Sequence, residues 1–191
     1  MIGLAAAEHE DTAFFATTQV TGAPVPLMAQ PGISVINAGS NSANGGNIGY
    51  TDILSVLAKA ASVKAKPPFV WAMSPRTFYT RVLGMVDGQS RPIVIPGLSG
   101  LYNNVQFTLL GWPVFVTPFI SEVEAVGSGT NQSHIVFTNA TYLHLAQDGV
   151  IELAISTERF FDQNATAIRG TSHLDFGAAP AAGVIVLAGV N

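Results

Sequence analysis

The clearest helical pattern in the chain lies at Thr51–Lys64, where Ile53, Val56, Leu57, Ala60 and Val63 make one apolar stripe. Asp52, Ser55, Lys59, Ser62 and Lys66 fall on the opposite side, Thr51 is placed to cap the start, and Pro67-Pro68 ends the helix. A strand from Phe69 to Met73 follows. It leads into a second helix from Pro75 to about Val86, with Ser74 as N-cap, Pro75 at the first position, and Phe78, Val82 and Met85 inward. Beyond Asp87-Gly88 the pattern turns to strands: Arg91–Ile95, Val105–Leu110, Val114–Thr117, Ser133–Thr138, Tyr142–Ala146, Val150–Ser156, Ala165–Phe176 and Gly183–Leu187. Gly111 and Pro113 interrupt the apolar run from Phe107 to Val116, and Gln147-Asp148-Gly149 reads as a hairpin turn. Residues 2–9 favour a short helix, 17–31 an extended connector, and 37–47 an exposed Gly/Asn/Ser loop. Two helices among many strands give an α+β class.

Composition changes this picture in one respect. Of 191 residues 48% are hydrophobic and only 10% charged, against roughly 25% charged in ordinary soluble domains. So little charge leaves neutral and apolar surface that association with partners would bury. The most apolar stretch, Ala178–Val190, is too short and too broken by Pro180, Gly183 and Gly189 to span a membrane. Residues 1–7 lack the basic start of a signal peptide. The formal net charge of −4 gives no bulk attraction to nucleic acid. Six of the eight basic residues fall between positions 59 and 91, where helix faces account for them.

No catalytic grouping emerges. The chain has no cysteine, and its histidines, His9, His134, His144 and His173, are not at metal-ligand spacing. His134 and His144 could meet across neighbouring strands, but each reads as structural. Gly97-Leu98-Ser99-Gly100 resembles a nucleophile elbow only superficially, since no helix follows it. Gly45-Gly46-Asn47 lacks the Lys-Ser/Thr of a phosphate loop. Glu122 and Glu124 alternate along a segment read as exposed, and Glu8, Glu10 and Asp11 cluster near one end. Both sets read as solvated charge. No cofactor, metal or catalytic residue is expected, and the chain is read as not an enzyme. The enzyme form weighed against this is a hydrolase using Ser99 with His134 or His144 and Asp148.

Several segments, taken in order, resemble the major capsid proteins of tailed bacteriophages with the HK97-like fold. They are Pro31-Gly32-Ile33, Tyr50-Thr51-Asp52-Ile53-Leu54, Trp71-Ala72-Met73-Ser74-Pro75-Arg76, Asp87-Gly88 and Leu110-Gly111-Trp112-Pro113-Val114. Ile135-Val136-Phe137 with Tyr142, Val150 to Ile155, Phe161, Asn164, Ile168, Arg169, and Val184 to Leu187 continue the series. The resemblance implies an axial domain and a strand-rich peripheral domain. Residues 1–32 would be the end of a spine helix and a connector, 33–148 mainly axial, 149–177 mainly peripheral, and 178–191 a strand returning to the axial domain. The family's N-terminal arm, extended loop and most of its spine helix have no counterpart before Pro31, so a truncated chain, a processed chain or a divergent minimal member is expected.

By the same resemblance, residues 88–104 form a loop toward the five- or six-fold axis, and 157–163 a loop at local three-fold contacts. Glu158, Arg159 and Asp162, with Arg91 and Tyr102, are the implied interface candidates. The implied function is a structural subunit of an icosahedral phage or prophage capsid, assembled in the host cytoplasm and enclosing double-stranded DNA without sequence-specific binding. Its partners would be copies of itself in pentamers and hexamers, with scaffold, portal or decoration proteins and no membrane. The alternative on the same fold is an encapsulin-type nanocompartment shell.

Overall fold

The computed structural model describes residues 2–86, 89–92, 107–163 and 165–191. The expected strand at 91–95 and the loop at 88–104 lie outside these residues except for 89–92, and so do Ser99, Tyr102 and Asn164.

Residues 185–190, Ile-Val-Leu-Ala-Gly-Val, have no polar position, which is the pattern of a strand covered on both faces. They form β8 (Ile185–Val190), buried throughout, beside the equally buried β5 (Ser133–Thr138). This pair sits inside a six-stranded sheet of order β1-β8-β5-β2-β4-β3, completed by β1 (Ser34–Asn37), β2 (Val70–Met73), β3 (Phe107–Leu109) and β4 (Trp112–Val116). β1 runs parallel to β8 and β2 parallel to β4, while β5 is antiparallel to both its neighbours. β1 was not foreseen, because Ser34–Asn37 is too short to show a period.

One sheet face carries Trp71, Met73, Val114, Ile135, Phe137, Ile185 and Leu187. Against it pack Ile53, Val56 and Ala60 of α3 (Tyr50–Ser62), with Phe78, Val82 and Met85 of the segment that follows β2. The stripe read from the sequence is therefore the buried one. Ser74 caps the second helix as expected: its Oγ accepts from the Thr77 amide at 3.2 Å. That helix winds as a π-helical segment over Thr77–Val82, where the Leu83 amide donates to the Phe78 carbonyl at 2.9 Å.

The two tryptophan segments meet in this core. Trp71 is directly opposite Val114 on one side and Phe137 on the other, and its Nε1–H donates to the Leu109 carbonyl at 3.1 Å. Its ring lies 4.2 Å from Phe137, and Phe69 bridges Phe137 and Trp112. Leu110-Gly111, both at positive φ (50° and 83°), make the two-residue turn between β3 and β4. Residues flanking such a turn are the hydrogen-bonded pair, so the next pair, Thr108 and Pro113, is the non-bonded one. A proline is tolerated there because it owes no donor to β3 and stands one residue before the β2–β4 ladder, which begins at Trp71 and Val114.

The opposite face of the sheet, Ala72, Val136 and Val186, is covered by Leu27, Met28, Ile33, Phe14, Leu143 and Ala178. Leu27 belongs to a short 3-10 turn (Leu27–Ala29) in the otherwise irregular connector. Phe14 ends α1 (Ile2–Phe14), which is longer than the piece read at 2–9.

A second, two-stranded sheet pairs β6 (Leu143–Phe160) with β7 (Ala165–Ala178). Here the structure corrects the sequence reading. Gln147-Asp148-Gly149 is no turn: Gln147 and Asp148 stay paired with Leu174 and His173, and Gly149, at φ 71°, takes up a bulge before pairing resumes at Glu152. The chain reverses instead at Phe161–Gln163, so the expected loop at 157–163 is strand as far as Phe160. The hairpin base is tied down by polar groups. Asn139 Nδ2 donates to the Lys66 carbonyl at 2.8 Å, Tyr142 Oη accepts from the Lys66 amide at 2.7 Å, and Gln30 Nε2 donates to the Phe176 carbonyl at 2.9 Å.

Replacing Trp71 by alanine should destabilise the chain by about 3–5 kcal/mol, the range for deleting a buried aromatic. Trp71→Phe, which keeps a ring but loses the Nε1–H bond to the Leu109 carbonyl and part of the buried ring volume, should cost about 1–3 kcal/mol. Urea unfolding followed by tryptophan fluorescence and circular dichroism measures both.

Candidate functional site

Two sets of polar side chains stand out, one buried at an end of the main sheet and one exposed on the hairpin. The buried set gathers where β2 ends, β5 begins and the helices start. Asp52 was read as a solvent-side residue, yet it is only 3% exposed. Its carboxylate accepts from the Gly49 amide at 2.8 Å and from the Ser40 amide at 2.7 Å. The first bond caps α3, whose N-cap is Gly49 and not Thr51. The second holds α2 (Ala38–Asn41), a single turn in which Gly39, Ser40 and Asn41 have φ of 69°, 57° and 64°. Left-handed backbone at a serine is unfavourable, so an ionic acceptor on its amide is a reason the turn persists.

The segment expected as an exposed loop at 37–47 is thus partly built in. Gly45 lies against Gly189, where any β-carbon would fall 2.3 Å from the Gly189 carbonyl oxygen. Gln132 Nε2 donates to the Asn44 carbonyl at 2.7 Å, while its Oε1 accepts from the Val126 amide at 2.9 Å.

Glu122 and Glu124, read as solvated, are both engaged. Glu122 accepts from the Arg76 amide at 3.0 Å at the start of the second helix, and Arg76 Nη2 donates to the Asn131 carbonyl at 2.9 Å. Glu124 exchanges backbone bonds with Gln132 and takes His134 Nδ1 at 2.8 Å. The side chains of His134 and Glu124 are 0% and 8% exposed, and His134 Nε2 has no hydrogen-bond partner. A carboxylate acceptor at Nδ1 places the ring proton there. With the histidine side chain fully buried, this pair fastens the 118–132 segment to β5. His144 belongs to the other sheet and does not meet His134. Among the described residues no group of three or more metal-ligating side chains occurs.

The exposed set holds most of the interface candidates. Glu158 and Arg159 lie near the outer end of β6 and Asp162 in the reversal, all exposed. Arg159 stands 5.7 Å over the Phe160 ring. The hairpin brings Arg169 to the same region, in register with Ala154. The sequence reading did not connect it to this cluster, although the alternation along 165–176 was the available signal. Arg91 is elsewhere, exposed in the 89–92 segment, and donates to Gln89 Oε1 at 3.0 Å. Among the described residues no helix is long and apolar enough to cross a membrane.

A six-stranded mixed sheet backed by α3, with a long hairpin leaving it, is an architecture shared with solved shell proteins. A Mycobacterium phage Ogopogo chain superposes with a TM-score of 0.67 at 13% identity, covering 97% of this chain and 64% of its own. A chain from the capsid of an empty GTA particle gives 0.66 at 11%, covering 100% and 65%. The holo-SrpI encapsulin complex from Synechococcus elongatus gives 0.61 at 13%, covering 97% and 62%. The fold is the HK97-like capsid fold, and the chain spans less than two-thirds of the length of these solved chains. In sequence, residues 1–189 match the Phage capsid family, and the chain belongs to that family. No curated protein matches it.

Glu124→Ala removes the partner of the buried His134 Nδ1 and should cost about 1–3 kcal/mol. Arg76→Gln, which removes the part-exposed ion pair to Glu122 and the bond to the Asn131 carbonyl but keeps the backbone amide bond to Glu122, should cost about 1 kcal/mol. Parallel urea titrations of the two variants test this order.

Proposed function

We propose that this chain is a shell subunit: a structural, non-catalytic protein that associates with copies of itself into five- and six-membered rings of an icosahedral phage or prophage capsid. The observation that carries this reading is the family match along almost the whole chain. The surface supports it. Val35, Phe115, Tyr79, Leu145, Leu153, Ile155 and Ile168 are all large, apolar and exposed. They are more than scattered hydrophobics on a chain that is one-tenth charged. On this reading the shell encloses double-stranded DNA through bulk packing, is assembled in the bacterial cytoplasm, and engages scaffold, portal or decoration proteins.

A second reading has a specific observation behind it, the fold shared with an encapsulin complex. The same shell would then enclose protein cargo. Particles purified from the native source and examined by electron microscopy and mass spectrometry decide between the two, since genomic DNA inside supports the capsid and packed protein supports the compartment. Particles of neither kind, with only monomers across concentration and salt, would overturn the proposal.

The candidate interface charges give a finer test. If Glu158 and Arg159 pair between copies, Glu158→Arg and Arg159→Glu should each weaken association several-fold, and the double reversal should recover most of it. Association should also fall as salt rises from about 0.1 to 1 M, where the screening length shrinks from roughly 10 to 3 Å. Sedimentation velocity over a concentration series reads all three variants.

A further inference from the structure

Residues 38–46 contain the only Asn-Gly step of the sequence, Asn44-Gly45, and the fold uses both residues. Gly45, at φ 66°, packs on Gly189, where a β-carbon would fall 2.3 Å from the carbonyl oxygen. Asn44 Oδ1 accepts from the Ser128 amide at 3.0 Å, and its main-chain carbonyl accepts from Gln132 Nε2. These bonds join the loop to the 118–132 segment. Two more join it to the end of β8. The Gly46 amide donates to the Gly189 carbonyl at 2.9 Å, and the Asn191 amide donates to the Gly46 carbonyl at 3.0 Å.

An asparagine side-chain amide can be attacked at Cγ by the backbone nitrogen of the following residue. Glycine shields that nitrogen least, because it has no side chain. Around Asn44 the other parts of this reaction are in place. Asn44 is exposed, so water and hydroxide reach it. Its Oδ1, where negative charge gathers as Cγ is attacked, already takes the Ser128 N–H. Its Nδ2, the leaving nitrogen, has no acceptor among the described residues. One bond restrains the step: the Gly45 amide, the nucleophile, donates to the Ser42 carbonyl at 3.1 Å and must first leave it.

We propose that Asn44 is a site of spontaneous covalent modification, deamidated by its own backbone, and that its isoaspartate product unfastens residues 38–46 from the end of β8. Solvent hydroxide takes the Gly45 amide proton, and the nitrogen forms a bond to Asn44 Cγ. The Cγ–Nδ2 bond breaks, and the nitrogen leaves as ammonia with a proton from water. Water then opens the cyclic imide at either carbonyl. Opening at Cγ gives aspartate, which still accepts from the Ser128 amide. Opening at the main-chain carbonyl gives isoaspartate, whose backbone is one carbon longer. The loop has no slack for that carbon. Gly45 rests on Gly189, and a β-carbon on Gly39 would lie 3.1 Å from Gly46 Cα. The inference goes beyond the shell-subunit reading and does not depend on it.

The full chain, incubated in mildly alkaline buffer, is followed by peptide mass mapping and by enzymatic methylation of isoaspartate. Asn44 should convert several-fold faster than any other asparagine and give both products. The isoaspartate fraction, separated by chromatography, should unfold several degrees lower than fresh chain. Its Gly46 and Asn191 amide hydrogens should exchange several-fold faster. Asn44→Asp, which has the charge of the product on an unaltered backbone, should keep the midpoint and exchange of the fresh chain. An Asn44 that stays intact while other asparagines convert overturns the site. An isoaspartate fraction with the midpoint and exchange of fresh chain overturns the unfastening. Equal loosening in Asn44→Asp assigns the effect to charge and overturns it as well.

Discussion

Burial of β5 and β8 on both faces is the constraint from which the rest of the structure follows. A strand pair with no solvent side needs two covering layers. The amphipathic α3 and the π-helical segment supply one, filling the face that Trp71 and Phe137 dominate. The connector turn at Leu27, the end of α1 and the base of the hairpin supply the other. Because the hairpin contributes only its base to that second layer, its outer half is left as surface. The core and the exposed apolar face are thus two results of one packing arrangement.

Polar groups hold the ends of these layers in place. Asp52 and Glu122 each accept a backbone amide at a helix start; Asp52 also holds the left-handed turn at Ser40, while Arg76, whose amide Glu122 accepts, donates from its side chain to the Asn131 carbonyl. Glu124 and His134 join the same segment to the sheet interior. A chain with so few charges commits several of them to internal joints. Those left on the hairpin rim then account for much of what its surface can offer a partner.

The strand at 133–138, the closing strand (read at 183–187 and found at 185–190), the helix stripe and the Ser74 cap were legible because each depends on neighbouring residues or on a short period. The misread positions share a cause. Gln147-Asp148-Gly149 has the composition of a turn, and only the long partner strand, Ala165–Ala178, makes it a bulge. Asp52, Glu122 and Glu124 look solvated in one dimension, because their partners are separated from them in sequence or belong to backbone that the sequence does not display. Glu158, Arg159 and Asp162 were legible as a mixed-charge cluster near a chain reversal. Arg169 and the aliphatic face beside them were not, since they come together only through strand register.

The sequence by itself determined the α+β class, the family and the absence of any thiol chemistry, all of which follow from composition, local periodicity and ordered motifs. The tertiary structure alone decided which charges are joints and which are surface, and which apolar residues are core and which are uncovered. Burial is a property of what packs against a residue, and for this chain the packing partners lie far away along the sequence: Trp71 on Leu109, Asn139 on Lys66, Val35 beside Val186.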